Sequence, residues 1–309
     1  MFQSVSQVGD DPFVVLAALL LIPIACVWLG RARFASRASR WLAAVALGLY
    51  ALFTAYFFPW EIFSVYLRWS PLLGWAAACL YAFRRPLAPL PLNPKLLKRS
   101  RLALVTFAAL TLLLDASLLK GMFPGAQPVE LSFPFKGGTF YIAQGGSSFW
   151  INYHYGQDPE FKYAVDILQV DALGSRSTGL LPSKYDDYLI YAEPVYSPCS
   201  GQVVMTLDGI ADSPIFTRLS DEPGGNQIAI DCGGKLVRLE HLLIGSIEVS
   251  SGQRVTAGDL LARVGSSGTS SEPHLHIQVN LYKDGVIGAC LPITFNGRYL
   301  VRNDLFRAP

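Results

Sequence analysis

Four apolar runs in the first 120 residues constrain this chain more than anything else in it. Phe13 to Leu29 is nearly unbroken, and at about 1.5 Å per residue it crosses most of a bilayer core. It lacks a basic leader and a small-residue cleavage pattern, so it reads as a retained span rather than a signal peptide. A second run covers Trp41 to Phe58 and stops at Pro59-Trp60. A third lies within Ile62 to Phe83, with Arg68 and Pro71 blurring its start. The fourth covers Leu102 to Leu119, with Asp115 near its far end, where an interfacial position is expected. The sequence thus predicts a transmembrane region over 1–120, with about four spans near 13–29, 41–58, 62–83 and 102–119.

Charge supports a division into two halves. Hydrophobic residues make up 51% of the chain and charged residues only 16%, with a mean hydropathy of +0.34, which is too apolar for an ordinary soluble protein. Residues 1–120 hold 12 basic and 4 acidic residues, whereas residues 121–309 hold 13 and 19. The net charge of +2 therefore hides a basic front and a mildly acidic back. No basic patch interleaved with aromatics is present in the second half, which argues against a nucleic-acid partner. Arg31, Arg33, Arg37 and Arg40 crowd the first loop; Arg84, Arg85, Lys95, Lys98, Arg99 and Arg101 crowd the third. The positive-inside rule puts both loops in the cytoplasm. The expectation is a multi-pass protein of a bacterial cytoplasmic membrane, with its N-terminus and its C-terminal domain on the periplasmic or extracellular side.

The second half has a different grain. After a Gly/Pro-rich linker, taken as 121–135, short alternating runs are broken by Gly, Pro, Asn and Asp. Thr139–Ile142, Tyr163–Leu168, Gly201–Met205, Gln227–Ile230, Leu236–Leu239 and Leu260–Val264 all read as strands, so 136–309 is expected to be all-β. Of the five cysteines, Cys26 and Cys79 fall in apolar runs. Cys199, Cys232 and Cys290 lie in the β half, where an odd number allows at most one internal disulfide. None has metal-ligand spacing.

All four histidines lie after residue 150. In Glu272-Pro273-His274-Leu275-His276-Ile277-Gln278-Val279, apolar and polar residues alternate, so His274 and His276 share a strand face, roughly 7 Å apart. His154 stands in Asn152-Tyr153-His154-Tyr155. Asp166 interrupts an apolar strand, where a buried carboxylate needs a partner. His241 sits at a strand end. Imidazole and carboxylate ligands with one open position suit zinc, which acidifies water into a nucleophile. Spare histidines would orient that water and move protons.

The run Gly252 to Gly265, followed by Ser266-Ser267-Gly268-Thr269-Ser270-Ser271-Glu272-Pro273-His274-Leu275-His276, resembles the lysostaphin/LytM-type zinc endopeptidases. Pro194 to Val204, Gly225-Asn226 and His241-Leu242 resemble further family segments in the same order, and the likeness spans about residues 150–282. It implies an antiparallel, lysostaphin-type (duplicated hybrid motif-like) sheet domain that cuts peptides of the bacterial cell wall. By position, the family's zinc ligands fall on His154, Asp166 and His276, and its catalytic histidines on His241 and His274. The family usually spaces its first ligand pair by four residues; His154 and Asp166 are twelve apart, so an insertion must be absorbed between them. Lys162, at the four-back position, cannot serve as a ligand while charged.

Three readings follow. The first is a membrane-anchored zinc metalloendopeptidase acting on peptidoglycan peptides, in contact with lipid through its spans. The second is a catalytically inactive LytM-like protein that binds or regulates the wall. A biotinyl or lipoyl carrier domain would share the Gly-rich hairpins, but it needs an acceptor Lys in a turn and leaves five ligand-type residues unexplained. The segment 171–193 is longer than a minimal family core, and a loop over the groove is expected there.

Overall fold

The computed structural model describes residues 12–87, 94–217 and 221–309, with side chains from Leu20 onward in the first segment. The expected placement of the N-terminus, and part of the Pro-rich basic loop, lie outside the described residues. Two compact units are present. One comprises residues 1–59 and 66–119; the other comprises Trp60–Val65 and residues 120–309.

The first unit is helical: α1 (Pro12–Arg31), α2 (Arg37–Phe57), α3 (Ser70–Arg84) and α4 (Pro94–Gly121). Ser36 caps α2 by accepting a hydrogen bond from the Ser39 N–H at 3.2 Å. The expectation of about four transmembrane spans is corrected here. Among the described residues, only two helices are long and apolar enough to cross a membrane, Arg37–Phe57 and Lys95–Gly121. The described apolar part of α1, Leu20–Arg31, is shorter. The third run breaks into the 3-10 turns Trp60–Ile62 and Val65–Trp69 before α3 begins. With its 15 residues, α3 is about 22 Å long, against a hydrocarbon core of about 30 Å. Arg68 and Pro71 mark the break: Pro71 opens α3, where a missing N–H does no harm.

The second unit is built on strands. Nine of them form one sheet: β2 (Thr139–Gln144), β3 (Val165–Val170), β5 (Gly201–Leu207), β6 (Asn226–Asp231), β7 (Lys235–Leu242), β8 (Arg254–Val255), β10 (Leu275–Lys283), β11 (Val286–Leu291) and β13 (Leu305–Arg307). The order is β13-β2-β3-β10-β7-β6-β5-β8, with β11 also on β10 and every pairing antiparallel. β1 (Val129–Leu131) pairs in parallel with β12 (Ile293–Phe295), and β4 (Pro194–Tyr196) pairs antiparallel with β9 (Leu260–Arg263). The segment expected as a linker thus contributes β1 and the core residues Phe133 and Phe135.

β10 lies between β3 and β7 and shows why alternation matters. Leu275, Ile277 and Val279 are fully buried in the apolar core with Ile167, Leu239 and Ile228. On the other face, His276, Gln278 and Asn280 are buried as well, a polar row that must be bonded internally. Cys199 and Cys232 are joined by a disulfide, with Cα atoms 6.2 Å apart, and Cys290 is buried and free.

Candidate functional site

Strand register builds the centre of the site. His276 lies directly opposite Asp166 on β3 and opposite Glu240 on β7, so three polar side chains face one side in a row. His276 Nδ1 is 3.0 Å from Asp166 Oδ1. Its other nitrogen, Nε2, is 3.0 Å from Gln278 Oε1, so Nε2–H donates to the amide oxygen and Nδ1 is the nitrogen turned to Asp166. Gln278 is itself held: its amide donates to Glu160 O at 3.1 Å and Asn280 Oδ1 at 2.8 Å. The family resemblance does not single out Gln278; its place two residues beyond His276, on the same face, was the available signal.

The twelve-residue gap before Asp166 closes through Asn152. Its side-chain oxygen accepts the His154 N–H at 3.1 Å, and its amide donates to Ala164 O at 2.9 Å and Gly146 O at 3.1 Å. One buried side chain therefore ties the 3-10 turn Tyr153–Gly156 to the residue two before Asp166. The intervening chain loops out. Lys162 stacks over the rings of Tyr155 and Tyr163, 4.8 and 5.4 Å from their centres. His154 Nε2 reaches Asp166 Oδ2 at 3.1 Å. The donor atoms of His154, Asp166 and His276 all lie within 4.8 Å of one another, and all three residues are buried.

His241 enters the site by breaking a rule. Arg238 and Glu240 pair at 2.6 Å, on the face of β7 that meets His276. Strict alternation would send His241 to the opposite face. Its backbone is instead left-handed, with φ 64°, a conformation of appreciable cost that persists only where the surroundings impose it. The His241 ring then stands 4.6 Å from that of His274 and 5.9 Å from that of His276. His241 Nδ1 donates to Ser267 O at 2.8 Å, and His274 Nδ1 donates to Glu272 O at 2.8 Å. Each ring thereby turns Nε2 into the site, and His274 Nε2 is 3.8 Å from Asp166 Oδ1. The Gly-rich turn makes this fit possible: Gly225 (φ 61°) and Gly268 (φ 78°) approach so closely that a methyl on either would strike backbone of the other's loop.

Electrostatics follow from burial and pairing. Burial opposes the ionised form of Asp166, but His154, His274 and hydrogen bonds from His154 and His276 outweigh it, holding the carboxyl well below its usual range. Burial, with His274 and His276 nearby, pushes His241 well below the ordinary imidazole value, so it is neutral at pH 7. Burial also lowers His154. For His276, burial works the other way from its partners, and the bond to Asp166 with the charge of Glu240 raises it to about 9. Two imidazole nitrogens and a carboxylate form a zinc-type donor set.

Residues 189–287 match the sequence model of peptidase family M23. The β unit thus contains a segment matching peptidase family M23, and His154, Asp166 and His276 form a donor set of the kind that holds zinc. The match includes His241, His274 and His276; His154 and Asp166 precede it. No curated protein matches the chain. Among solved structures, lysostaphin from Staphylococcus simulans is 22% identical at a TM-score of 0.29, over 48% of this chain and 47% of that one. A zinc-containing peptidase from Vibrio cholerae is 18% identical at 0.31, over 59% and 41%. A protein described as an M23 peptidase from Pseudomonas aeruginosa is 19% identical at 0.30, over 54% and 50%. This chain thus spans about half the length of the structures it resembles, and the family assignment rests on residues 189–287.

Proposed function

We propose that the protein is a membrane-anchored zinc metalloendopeptidase that hydrolyses peptide bonds in peptidoglycan. The observation that carries this reading is one constellation: His154, Asp166 and His276 converge with all donor atoms within 4.8 Å, and His241 and His274 stand beside them. In this reading His154, Asp166 and His276 hold the metal. Zinc bound there supplies a Lewis acid and activates water at neutral pH. Gln278 keeps His276 in the tautomer that offers Nδ1. Neutral His241, fixed by Ser267, presents Nε2 as the acceptor for a proton from the attacking water. His274, fixed by Glu272, offers the second Nε2. Once protonated, either ring donates to the developing oxyanion and then to the leaving amine.

Anchoring is proposed through the helical unit, chiefly α4. The apolar window of α4 is only 17% buried, with Leu102, Val105, Leu110, Leu112 and Leu113 exposed; a core helix of a soluble protein would hide such residues. Basic residues sit at the start of α4, so its end and the β unit that follows belong on the outer face of the membrane. The Cys199–Cys232 disulfide suits an oxidising compartment on that side.

The test compares the purified full-length protein with its His276→Ala variant. Wild type is expected to hold one zinc and to release new amino termini from peptidoglycan; the variant is expected to lose both. Zinc-loaded wild type that releases no termini would identify a binding or regulatory member instead.

A further inference from the structure

The segment 171–193 carries two tyrosines that brace a second loop. The rings of Tyr185 and Tyr191 stack, with centres 5.3 Å apart and planes at 23°. Both hydroxyls reach residues 212–213: Tyr185 donates to Ser213 O at 2.9 Å and Tyr191 to Asp212 Oδ2 at 2.8 Å. Burial and the Asp212 carboxylate raise the Tyr191 phenol above its ordinary value, so it stays a donor at neutral pH. The backbone just beyond Tyr191 is tied down as well. The Ala192 N–H donates to Val264 O at 2.8 Å, and the Val264 N–H to Glu193 O at 3.0 Å.

The other oxygen of Asp212 faces the turn that carries the site. Ser266 is fully buried, so its N–H needs an acceptor within the protein. Asp212 Oδ1 accepts it at 2.8 Å. Gly265 leaves the space for this approach, since a Cβ there would stand 2.8 Å from Asp212 Oδ1. The Ser213 N–H donates to Ser266 O at 2.9 Å, and Asp212 pairs with Ser267 in a single antiparallel bridge. Residues 212–213 therefore hold both the N–H and the carbonyl of Ser266. The next carbonyl along the chain, Ser267 O, accepts His241 Nδ1–H at 2.8 Å. A continuous line thus runs from the Tyr191 hydroxyl through Asp212 and the Ser266–Ser267 backbone to the ring of His241. That ring stands on a left-handed residue, with φ 64°, and its tautomer depends on where the Ser267 carbonyl points. If the carbonyl turns away, the proton can move to Nε2, which then no longer accepts one from water.

We propose that Asp212, oriented by Tyr191, is a positioning residue for His241: it fixes the Ser266–Ser267 turn so that Ser267 O keeps the ring in its Nδ1–H form, with Nε2 facing the site. The catalytic role of His241 rests on the peptidase reading above; the positioning itself does not.

The experiment uses the full-length, zinc-loaded chain in detergent micelles, with 15N-labelled histidine; four histidines keep the spectrum simple. In wild type, His241 is expected to be the Nδ1–H tautomer. Asp212→Ala is expected to mix in the Nε2–H form and to lower kcat on a peptidoglycan peptide by about 10-fold to 100-fold with KM unchanged, as a misplaced group does. Tyr191→Phe, which leaves Oδ2 untethered, is expected to act in the same direction, by about 3-fold to 10-fold. Asp212→Asn keeps an oxygen for the Ser266 N–H and is expected to restore the wild-type tautomer, with kcat within about 3-fold of wild type. Val203→Ala, a cavity in the core at β5, is expected to lower the unfolding temperature and leave tautomer and kcat alone. If Asp212→Ala does not fold, Tyr191→Phe decides by the same two readouts. A wild-type tautomer and kcat in either folded Asp212→Ala or Tyr191→Phe would overturn the proposal, as would Asp212→Asn losing as much as Asp212→Ala, or Val203→Ala reproducing the loss. A wild type that cuts nothing removes the peptidase reading, and the tautomer comparison still judges the positioning.

Discussion

At the scale of single residues, the site sets a competition between protons and metal. In the metal-free protein, Asp166 and Glu240 hold a proton on His276 up to about pH 9. A folded-state value raised above the ordinary imidazole range contributes stability at neutral and acid pH, and that stability is lost as pH climbs through about 9. Zinc needs the same Nδ1 unprotonated, so binding displaces the proton. Zinc affinity is accordingly expected to rise between pH 6 and 8, by up to about tenfold per unit for one displaced proton. Competition with a chromophoric chelator across that range measures it, and a flat profile would mean that His276 binds metal without releasing a proton. Gln278→Ala removes the acceptor that fixes the His276 tautomer and is expected to weaken zinc about 10-fold to 100-fold, seen in the same titration while the fold persists by circular dichroism.

At the scale of elements, the turns carry more of the site than the strands do. Gly268 faces the loop at Gly225, and the neighbouring Ser267 carbonyl holds His241. Gly268→Ala adds a methyl where backbone already stands, at a φ of 78°, and is expected to cost more than about 1 kcal/mol while also lowering activity, because the His241 anchor moves. Denaturant unfolding and peptide cleavage on the same sample check both parts. The disulfide closes a loop with a sequence separation of 33, and Cys199→Ser is expected to cost about 3–4 kcal/mol on the chain-entropy account. These elements also show what could be read from sequence. The strand carrying His276 was legible because alternation with Leu275, Ile277 and Val279 declares its faces. His241 was legible only through its family-like setting, since its left-handed backbone breaks the alternation that local pattern relies on. The path from His154 to Asp166 was not legible: it depends on Asn152 bonding across twelve residues, and long-range bonds leave no period in a sequence.

At the scale of the whole molecule, hydropathy predicts about four spans, and the described residues hold two helices long and apolar enough to cross a membrane. Apolar content does not report helix length, and the run after Trp60 spends its first residues on 3-10 turns and on contacts within the β unit. What survives is an argument from α4 alone. It is apolar along its length, unburied over most of it, and basic at its start, where Lys95, Lys98, Arg99 and Arg101 fall within the first two turns. Its other end leads directly into the β unit at Lys120. A peptidase for wall peptides must face the wall, so orientation and activity stand or fall together. Single free cysteines placed at exposed Leu181 and exposed Ser100, in a background with Cys26, Cys79 and Cys290 changed to Ala, provide the check. A membrane-impermeant thiol reagent applied to intact spheroplasts is expected to label Leu181→Cys and to spare Ser100→Cys until the membrane is opened. Labelling of both before lysis would show that α4 does not cross, and labelling of Ser100→Cys alone would place the β unit in the cytoplasm, away from any peptidoglycan.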